Sequence, residues 1–278
     1  MNDPHDVAGT PATREFYDKE GWTRDDANRL VDQSLFGVRE DGPIRRQLHL
    51  LGNDRIRQAL GGPGLRLLEC GCGGTPATFL ADRCAYFTAV DFSATGLAEA
   101  AKSLATTGIR FATVAADMCR LPFPDGHFDA AYCAQAIYHI DDPAGQAAAF
   151  DQIMRVVKPG GVAVFVMVNP FPLLFPVRAA RRVLAATPLV AGALNRIRNE
   201  PPLPFRPMRL GWMRGQLAKW GAVEIFGYRI ASTWFNQHVP ESGGVGRMLW
   251  RTFARIETTH PRAAARLGCY VSIVARKR

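Results

Sequence analysis

A short apolar run followed by a glycine-rich turn constrains the fold of this chain more than any other feature. The mostly apolar residues 65–68 are typical of a buried parallel strand. The three glycines within residues 71–74 allow a tight turn and let a ligand approach the backbone closely. Thr75 is a good N-cap, and Pro76 suits the first position of a helix. The stretch therefore predicts strand, turn and helix, as in one corner of a doubly wound α/β sheet.

Two features of this turn indicate which ligand it would hold. A dinucleotide fingerprint that starts at Gly71 needs a glycine at position 76, where this chain has proline. Glu69 ends the strand, and a carboxylate there would repel a pyrophosphate but suits a ligand with an amino group and a sulfonium. The stretch resembles the first motif of the class I S-adenosylmethionine-dependent methyltransferases, acidic-x-Gly-x-Gly-x-Gly, with Thr75 at the third glycine position. The resemblance implies S-adenosylmethionine as cofactor, bound by Glu69, Gly71 and Gly73.

A second acidic residue, Asp91, ends the next predicted strand. It follows the apolar residues 85–90, at about the 20-residue offset of a ribose-binding carboxylate. A carboxylate there can accept hydrogen bonds from both ribose hydroxyls, and Phe92 after it can stack on adenine. The alternative role for Asp91 is to cap the next helix, but Ser93 is already available as the cap. We therefore favour cofactor binding by Asp91 and Phe92.

A third acidic residue, Asp117, follows the strand predicted over residues 109–115, and Met118 comes next. In the family the acidic residue here bonds the adenine amino group and the next backbone amide touches the ring, so the resemblance implies those roles for Asp117 and Met118. The alternative is a turn aspartate, which is weakened because three acidic strand ends occur in the family's order. Cys133, just beyond the fourth strand at residues 128–132, is also assigned to cofactor binding.

His139 is the candidate catalytic residue. Methyl transfer from a sulfonium is an in-line displacement, and a hydroxyl or phenol acceptor must also lose a proton to a base. His139 lies just beyond the fourth strand, at the sheet edge where ligands bind, and an unperturbed imidazole titrates near ~6.5. Alternatively it caps the next helix or bonds a backbone carbonyl. Gln135 and Tyr138 are candidates for orienting the substrate, and His238 and His260 are weaker alternatives for the base.

The resemblance is strong over residues 65–168, and residues 117–161 resemble the small-molecule branch that includes the ubiquinone and menaquinone biosynthesis methyltransferases. It implies an α/β fold of the Rossmann-like kind, with a seven-stranded mostly parallel sheet and helices on both faces. The expected domains are an N-terminal tail and helical cap (1–60) and the methyltransferase domain (61–278), with insertions at 170–208 and 231–268.

The N-terminal cap and the last strand contain no family motif and are predicted from the spacing of apolar residues and by analogy. Apolar residues at helical spacing predict helices over 25–36 and 44–60. By analogy with the family, Tyr17 and Trp22 would wall the substrate pocket. The alternative is that these aromatic residues only hold the cap on the core. Residues 269–275 are predicted to form a seventh strand at the edge of the sheet.

Composition limits the classes of protein to consider. The chain has 278 residues, of which 47% are hydrophobic and 21% charged, as in ordinary soluble globular proteins. Residues 1–13 are polar and lack the apolar core of a signal peptide, and the apolar run 162–177 is broken by prolines. We therefore expect a cytoplasmic protein whose six cysteines are reduced thiols. No cysteine or histidine pair has zinc spacing, so no metal site is expected.

The formal net charge of +9 favours anionic partners, although a solvated basic face explains it equally well. Residues 177–198 combine leucines and valines with five arginines and no acidic residue. They are expected to form either a helix on an anionic membrane surface or a substrate lid.

The leading function is methyl transfer to a small, apolar or lipid-like acceptor at oxygen or carbon. The second hypothesis is an RNA methyltransferase, although no RNA-binding motif is visible and no specific nucleic acid is expected. The third hypothesis is a non-catalytic partner protein that binds S-adenosylmethionine.

Overall fold

The computed structural model describes residues 11–19, 21–24, 30–32, 42–174 and 204–278. The segment 177–198, predicted to be a membrane-surface helix or a lid, lies outside the described residues. In chain order the strands are β1 (Trp22–Arg24), β2 (Leu30–Asp32), β3 (Leu65–Cys70), β4 (Cys84–Asp91), β5 (Phe111–Ala115), β6 (Phe128–Ala134), β7 (Val157–Val168), β8 (Gly221–Arg229) and β9 (Tyr270–Lys277). The α-helices are α1 (Pro11–Lys19), α2 (Pro43–Leu60), α3 (Ala94–Ala105), α4 (Pro143–Val156), α5 (Leu210–Ala218), α6 (Thr233–His238), α7 (Gly244–Thr259) and α8 (Pro261–Leu267).

Seven of the strands form one sheet in the order β5-β4-β3-β6-β7-β9-β8. The first five of these pair in parallel, and β9 pairs antiparallel with both β7 and β8. The predicted seven-stranded, mostly parallel sheet is confirmed. The prediction that the last strand lies at the edge is wrong, because β9 inserts between β7 and β8. Its residues 271–275 are all buried, as expected of an interior strand, whereas β8 at the edge is only partly covered.

Apolar layers cover both faces of the sheet, and alternate residues of each strand enter opposite layers. Leu67 contributes to the layer under α2 and α3, together with Phe87 and Leu97. Leu68 contributes to the layer under α4 and α5, together with Phe150 and Met213. The predicted helices on both faces are therefore confirmed, and the sheet holds the strand ends in fixed positions.

The chain after the glycine turn differs from the prediction of a helix beginning at Pro76. It forms a 3₁₀-helix over Thr78–Arg83 instead. The backbone N–H of Ala77 donates to the Glu69 carboxylate, with 3.0 Å to the nearer oxygen. This hydrogen bond holds Ala77 beside β3, and the helix begins after it, at Thr78.

The N-terminal cap also differs in part. The helix predicted over 44–60 is confirmed as α2. The helix predicted over 25–36 is wrong at its described residues, since Leu30–Asp32 pair antiparallel with Trp22–Arg24 as a two-stranded ribbon. A segment this short contains too few apolar residues to distinguish a period of 2 from a period of 3.6.

The six cysteines are free thiols. Within the described ranges, no helix is long and apolar enough to cross a membrane.

Candidate functional site

A cavity of about 270 Å³ lies at the carboxyl ends of β3, β4 and β6. Its position follows from the parallel strand order, because the ends of neighbouring parallel strands meet at one edge of the sheet. Most of the residues predicted from sequence line this cavity: Tyr17, Trp22, Glu69, Gly71, Gly73, Asp91, Phe92, Asp117, Met118, Gln135 and His139.

Glu69 is the penultimate residue of β3 and is 4% exposed. Both of its carboxylate oxygens accept from the Ala77 backbone N–H, at 3.0 and 3.2 Å. Burial raises the pKa of Glu69 to about 8, against the opposing effect of that hydrogen bond, and nearby Asp91 raises it further. The side chain is therefore largely protonated at neutral pH, and a cationic ligand beside it would favour the charged form.

Asp91 ends β4 and joins two pieces of backbone around the cavity. Its Oδ2 accepts from the Gly73 N–H at 2.8 Å, and its Oδ1 accepts from the Ser93 N–H at 2.9 Å. Burial raises the pKa of Asp91, while the backbone donors lower it. Ser93 caps α3 by accepting from the Gly96 N–H at 3.0 Å, as the sequence predicted. Asp91 is therefore free of the capping role and holds the glycine turn against the start of α3.

Two glycines of the turn are required by backbone geometry and space. Gly71 has φ 70° and Gly73 has φ 50°, both in the left-handed region. A Cβ on Gly71 would overlap Ala136, and one on Gly73 would overlap the ring of Trp22. Trp22 therefore lies directly on the glycine turn, which brings the N-terminal cap to the cavity wall.

Phe92, Met118 and Asp117 all line the cavity. The ring of Tyr17 meets that of Phe92 edge-on, with centroids 6.0 Å apart. Asp117 Oδ1 accepts from the Cys119 N–H at 2.8 Å, so the turn role considered as its alternative is present as well. A carboxylate has several lone pairs, so a role in this turn is compatible with accepting a hydrogen bond from a ligand.

His139 ends a short 3₁₀-helix, Ile137–His139, immediately after β6. Its Nδ1 lies 2.8 Å from the carbonyl oxygen of Pro204. Since a carbonyl can only accept, Nδ1 carries the hydrogen, and the neutral ring keeps its lone pair on Nε2. Burial lowers the pKa of His139 below its usual value, with the Pro204 hydrogen bond opposing the shift. The ring is therefore neutral at physiological pH and able to accept a proton.

The helix after this loop has its own cap. Asp142 accepts from the Gly145 N–H at 2.6 Å, and Pro143 is the first residue of α4. His139 therefore does not cap the helix, although its predicted alternative contact with a backbone carbonyl is present.

Gln135 has φ 56°, and among the described residues it is the single non-glycine with a positive φ. Its N–H donates to the Val166 carbonyl at 2.8 Å, which secures this conformation at the cavity wall. Backbone strain of this kind is common at ligand sites.

Two predicted site residues do not line the cavity. Cys133 is fully buried in the apolar layer that contains Leu68, because its position in β6 directs it away from the lining residues Tyr132 and Ala134. Tyr138 is 5% exposed and packs beside His139, with ring centroids 4.6 Å apart. It supports the wall of the site without forming its surface.

The cavity is also lined by residues that the sequence predictions missed: Thr13, Cys72, Phe79, Tyr132, Ala134 and Ile140. Strand alternation from β6 could have identified Tyr132 and Ala134, which share a face. Thr13 carries no comparable signal, because it reaches the site only through the packing of α1.

The lining fits S-adenosylmethionine. Buried carboxyl groups end two neighbouring strands, the glycine turn leaves space next to its backbone, and Phe92 and Met118 offer an apolar surface for a flat ring. In the part of the chain that the structure describes, no three histidine, cysteine or acidic side chains are grouped to hold a metal ion.

Comparison with known proteins gives the same family from sequence. A family model described as a methyltransferase domain matches residues 68–165. The demethylmenaquinone methyltransferase of Mycolicibacterium paratuberculosis is 33% identical over 179 residues, which are 61% of this chain and 74% of that protein. The ubiquinone biosynthesis O-methyltransferase of Alkalilimnicola ehrlichii is 34% identical over 140 residues, 49% of this chain and 56% of that protein. The chain spans about half the length of several curated relatives that it matches.

Solved structures share the fold. The N-methyltransferase NodS of Bradyrhizobium japonicum, solved with S-adenosyl-L-homocysteine, superposes with a TM-score of 0.53 at 16% identity. The match covers 86% of this chain and 89% of that one. At this identity the match supports the architecture and says nothing about the acceptor.

Proposed function

The chain belongs to the S-adenosylmethionine-dependent methyltransferases, and we propose that it transfers a methyl group to an oxygen or carbon atom of a small, apolar or lipid-like acceptor. The observation that carries this proposal is the position of His139. The neutral imidazole lines the same cavity as the strand-end residues Glu69 and Asp91, with Nδ1 engaged by Pro204 and Nε2 left as the proton acceptor.

The cofactor roles follow the chemistry of the strand ends. Glu69 would face the amino group, Asp91 would accept from the ribose hydroxyls, and Asp117 with Met118 would contact the adenine. Bound S-adenosylmethionine supplies an electrophilic methyl group on a sulfonium. Gly71 and Gly73 would let the ligand lie against the backbone.

On the acceptor side, His139 would take the proton from a hydroxyl, phenol or acidic carbon. Tyr17, Trp22 and Gln135 would orient the acceptor, since they line the cavity beside His139. The aromatic character of this wall favours an apolar molecule. The names of the two quinone-pathway relatives agree with that class, and one of them gives oxygen as the atom methylated in that protein.

Three further predictions remain proposals. Residues 1–60 would form the cap and residues 61–278 the catalytic domain. The free cysteines agree with a reducing cytoplasm. Contact of residues 177–198 with anionic membrane is proposed from their composition alone.

The function is tested by incubating the protein with S-adenosylmethionine labelled in the methyl group and a panel of acceptors: a quinol with an isoprenoid chain, a catechol, a hydrophilic phenol and an RNA transcript. We expect labelled product, identified by mass spectrometry, with the isoprenoid quinol and little with the RNA. His139→Ala is the matched inactive control. If the cofactor binds but none of the acceptors is methylated and cell extracts yield no labelled product, a non-catalytic binding protein is the better account.

A further inference from the structure

The outward face of α7 carries a row of positive charges that the described protein does not neutralise. Arg247, Arg251 and Arg255 are exposed. None of the three side chains makes a hydrogen bond or an ion pair with another described residue. Because they are four residues apart, they lie along one side of the helix and extend over about 12 Å.

Two exposed apolar side chains lie at the N-terminal end of this row. Val245 is 69% exposed and Met248 is 58% exposed. Met248 lines a shallow groove together with Arg247, Arg251 and Arg255. Single exposed apolar residues are common, but here Met248 lines the groove with the arginines, and Val245 lies three residues before Met248, about one helical turn away.

The opposite face of α7 is occupied by the fold. Trp250 and Phe253 are buried against Phe235 in a small apolar cluster. Glu257, the acidic residue of this helix, is 1% exposed and accepts from the Ile230 N–H at 2.7 Å. The exposed face of α7 therefore carries positive charge without a compensating carboxylate of its own.

The segment that contains α7 begins at the same edge of the sheet as the cavity. β8 runs parallel to β7, since both pair antiparallel with β9. The segment with α6 and α7 follows β8, so it leaves the sheet at the same edge at which the cavity lies. Glu241, shortly before α7, accepts from the backbone N–H groups of Ile44 and Arg45 at 2.9 and 2.7 Å, which anchors the start of α7 beside the start of α2.

We propose that this face of α7 docks on a bilayer surface rich in anionic lipid. The three arginines would meet lipid phosphates, while Val245 and Met248 would enter the boundary between headgroups and acyl chains. Charge complementarity selects an anionic partner. The two aliphatic side chains favour lipid over nucleic acid, whose bases are bound by aromatic and hydrogen-bonding side chains. The inference goes beyond methyl transfer and does not depend on it.

The test is co-sedimentation of the full chain with vesicles of phosphatidylcholine alone and of phosphatidylcholine with phosphatidylglycerol. We expect binding to the anionic vesicles, weakened by added salt, and little binding to the neutral ones. The triple variant Arg247→Gln, Arg251→Gln, Arg255→Gln should weaken vesicle binding about 100-fold. The double variant Val245→Ser, Met248→Ser should weaken it without changing its dependence on salt.

The matched control removes the same charge from other exposed positions, Arg110→Gln, Arg214→Gln and Arg278→Gln, and should bind nearly as the wild type does. Circular dichroism checks that each variant is folded. The proposal is overturned if the wild type stays in the supernatant with anionic vesicles at low salt. It is overturned as well if the α7 triple variant binds no worse than the control, or if that triple variant loses affinity for an RNA oligonucleotide while vesicle binding is unchanged.

Discussion

The Nδ1 atom of His139 lies 2.8 Å from the carbonyl oxygen of Pro204, a residue 65 positions later in the chain. This contact selects the tautomer in which Nε2 accepts a proton. A second link holds the two segments together, since the Arg206 N–H donates to the Tyr138 carbonyl at 2.8 Å. The segment before α5 therefore sets the chemical state of the candidate base.

His139→Ala should lower kcat by roughly 100-fold or more with cofactor affinity nearly unchanged, because the proton acceptor is lost while the strand ends remain. In the wild type kcat should rise with pH to a plateau, with its midpoint below ~6.5, because burial lowers the pKa of His139. Steady-state kinetics over pH and calorimetry with S-adenosylmethionine test both points. His260→Ala is the control, because the structure places this weaker candidate for the base at an exposed position outside the cavity lining. Near-normal turnover by His139→Ala would remove this residue from the mechanism.

We expect Gln146 to influence His139 indirectly, through the segment that carries Pro204. It is 2% exposed, and its Nε2 donates to the carbonyls of Ile140 and Arg206 at 3.0 and 2.8 Å. Gln146→Ala leaves both carbonyls without this donor, so it should lower stability by ~1–3 kcal/mol and shift the pH profile of kcat, since Pro204 moves relative to His139. Urea unfolding and kinetics measure the two effects. The exposed Gln58→Ala should change neither. A variant with lower stability but an unchanged pH profile would leave Gln146 a purely structural role.

Glu69→Gln should stabilise the unliganded protein at neutral pH. The folded-state pKa of about 8 exceeds the usual value of 4.5. The stability that this group contributes is therefore fully present below pH ~4.5 and is lost as pH rises through about 8. Glutamine keeps the acceptor for the Ala77 N–H without a proton to lose, so the free energy of unfolding at pH 7 should rise by ~1–3 kcal/mol.

The measurement is urea unfolding at several pH values between 4 and 9, with Asp54→Asn at an exposed position as control. Cofactor affinity should fall in Glu69→Gln, since the positive ligand loses a carboxylate that it can ionise. A glutamine variant that unfolds more easily than the wild type at pH 7 would contradict the assignment of a raised pKa.

Asp91→Ala should weaken S-adenosylmethionine binding by ~1.5–3 kcal/mol, because the ribose hydroxyls lose a charged acceptor. The Gly73 and Ser93 N–H groups also lose their partner, so part of the loss comes from a displaced turn. Asp91→Asn, which retains one acceptor oxygen, should lose less. Calorimetry measures the affinities, and Asp54→Ala on the exposed side of α2 is the control. Equal affinity in wild type and Asp91→Ala would place the ribose elsewhere.

Gly73→Ala and Trp22→Ala should be coupled. The new Cβ at position 73 would overlap the Trp22 ring, so the single Gly73→Ala should weaken cofactor binding by displacing the cap. Adding Trp22→Ala removes that overlap and should restore part of the affinity. The remainder reflects the positive φ of residue 73, which costs about 1–2 kcal/mol for alanine. A double-mutant cycle measured by calorimetry gives the coupling energy, and strictly additive losses would show that Trp22 does not cover the bound turn.

The sequence by itself determined the features whose cause lies within a few residues. The glycine turn needs residues with positive φ at 71 and 73, and glycine adopts that conformation most easily. The caps of α3 and α4 were predictable because Ser93 and Asp142 bind N–H groups only three residues away. Parallel strands that end in acidic residues then predicted one edge where those side chains meet.

Tertiary structure decided the features whose cause lies far along the chain. Apolar spacing did not indicate that β9 inserts between β7 and β8, because edge and interior strands differ in which neighbours cover them. The exclusion of Cys133 from the cavity follows from the strand register, and the position of Trp22 on Gly73 follows from the packing of the N-terminal cap. The proton-accepting state of His139 depends on Pro204, and closing a loop of that length depends on the packing of the whole domain and not on local preference.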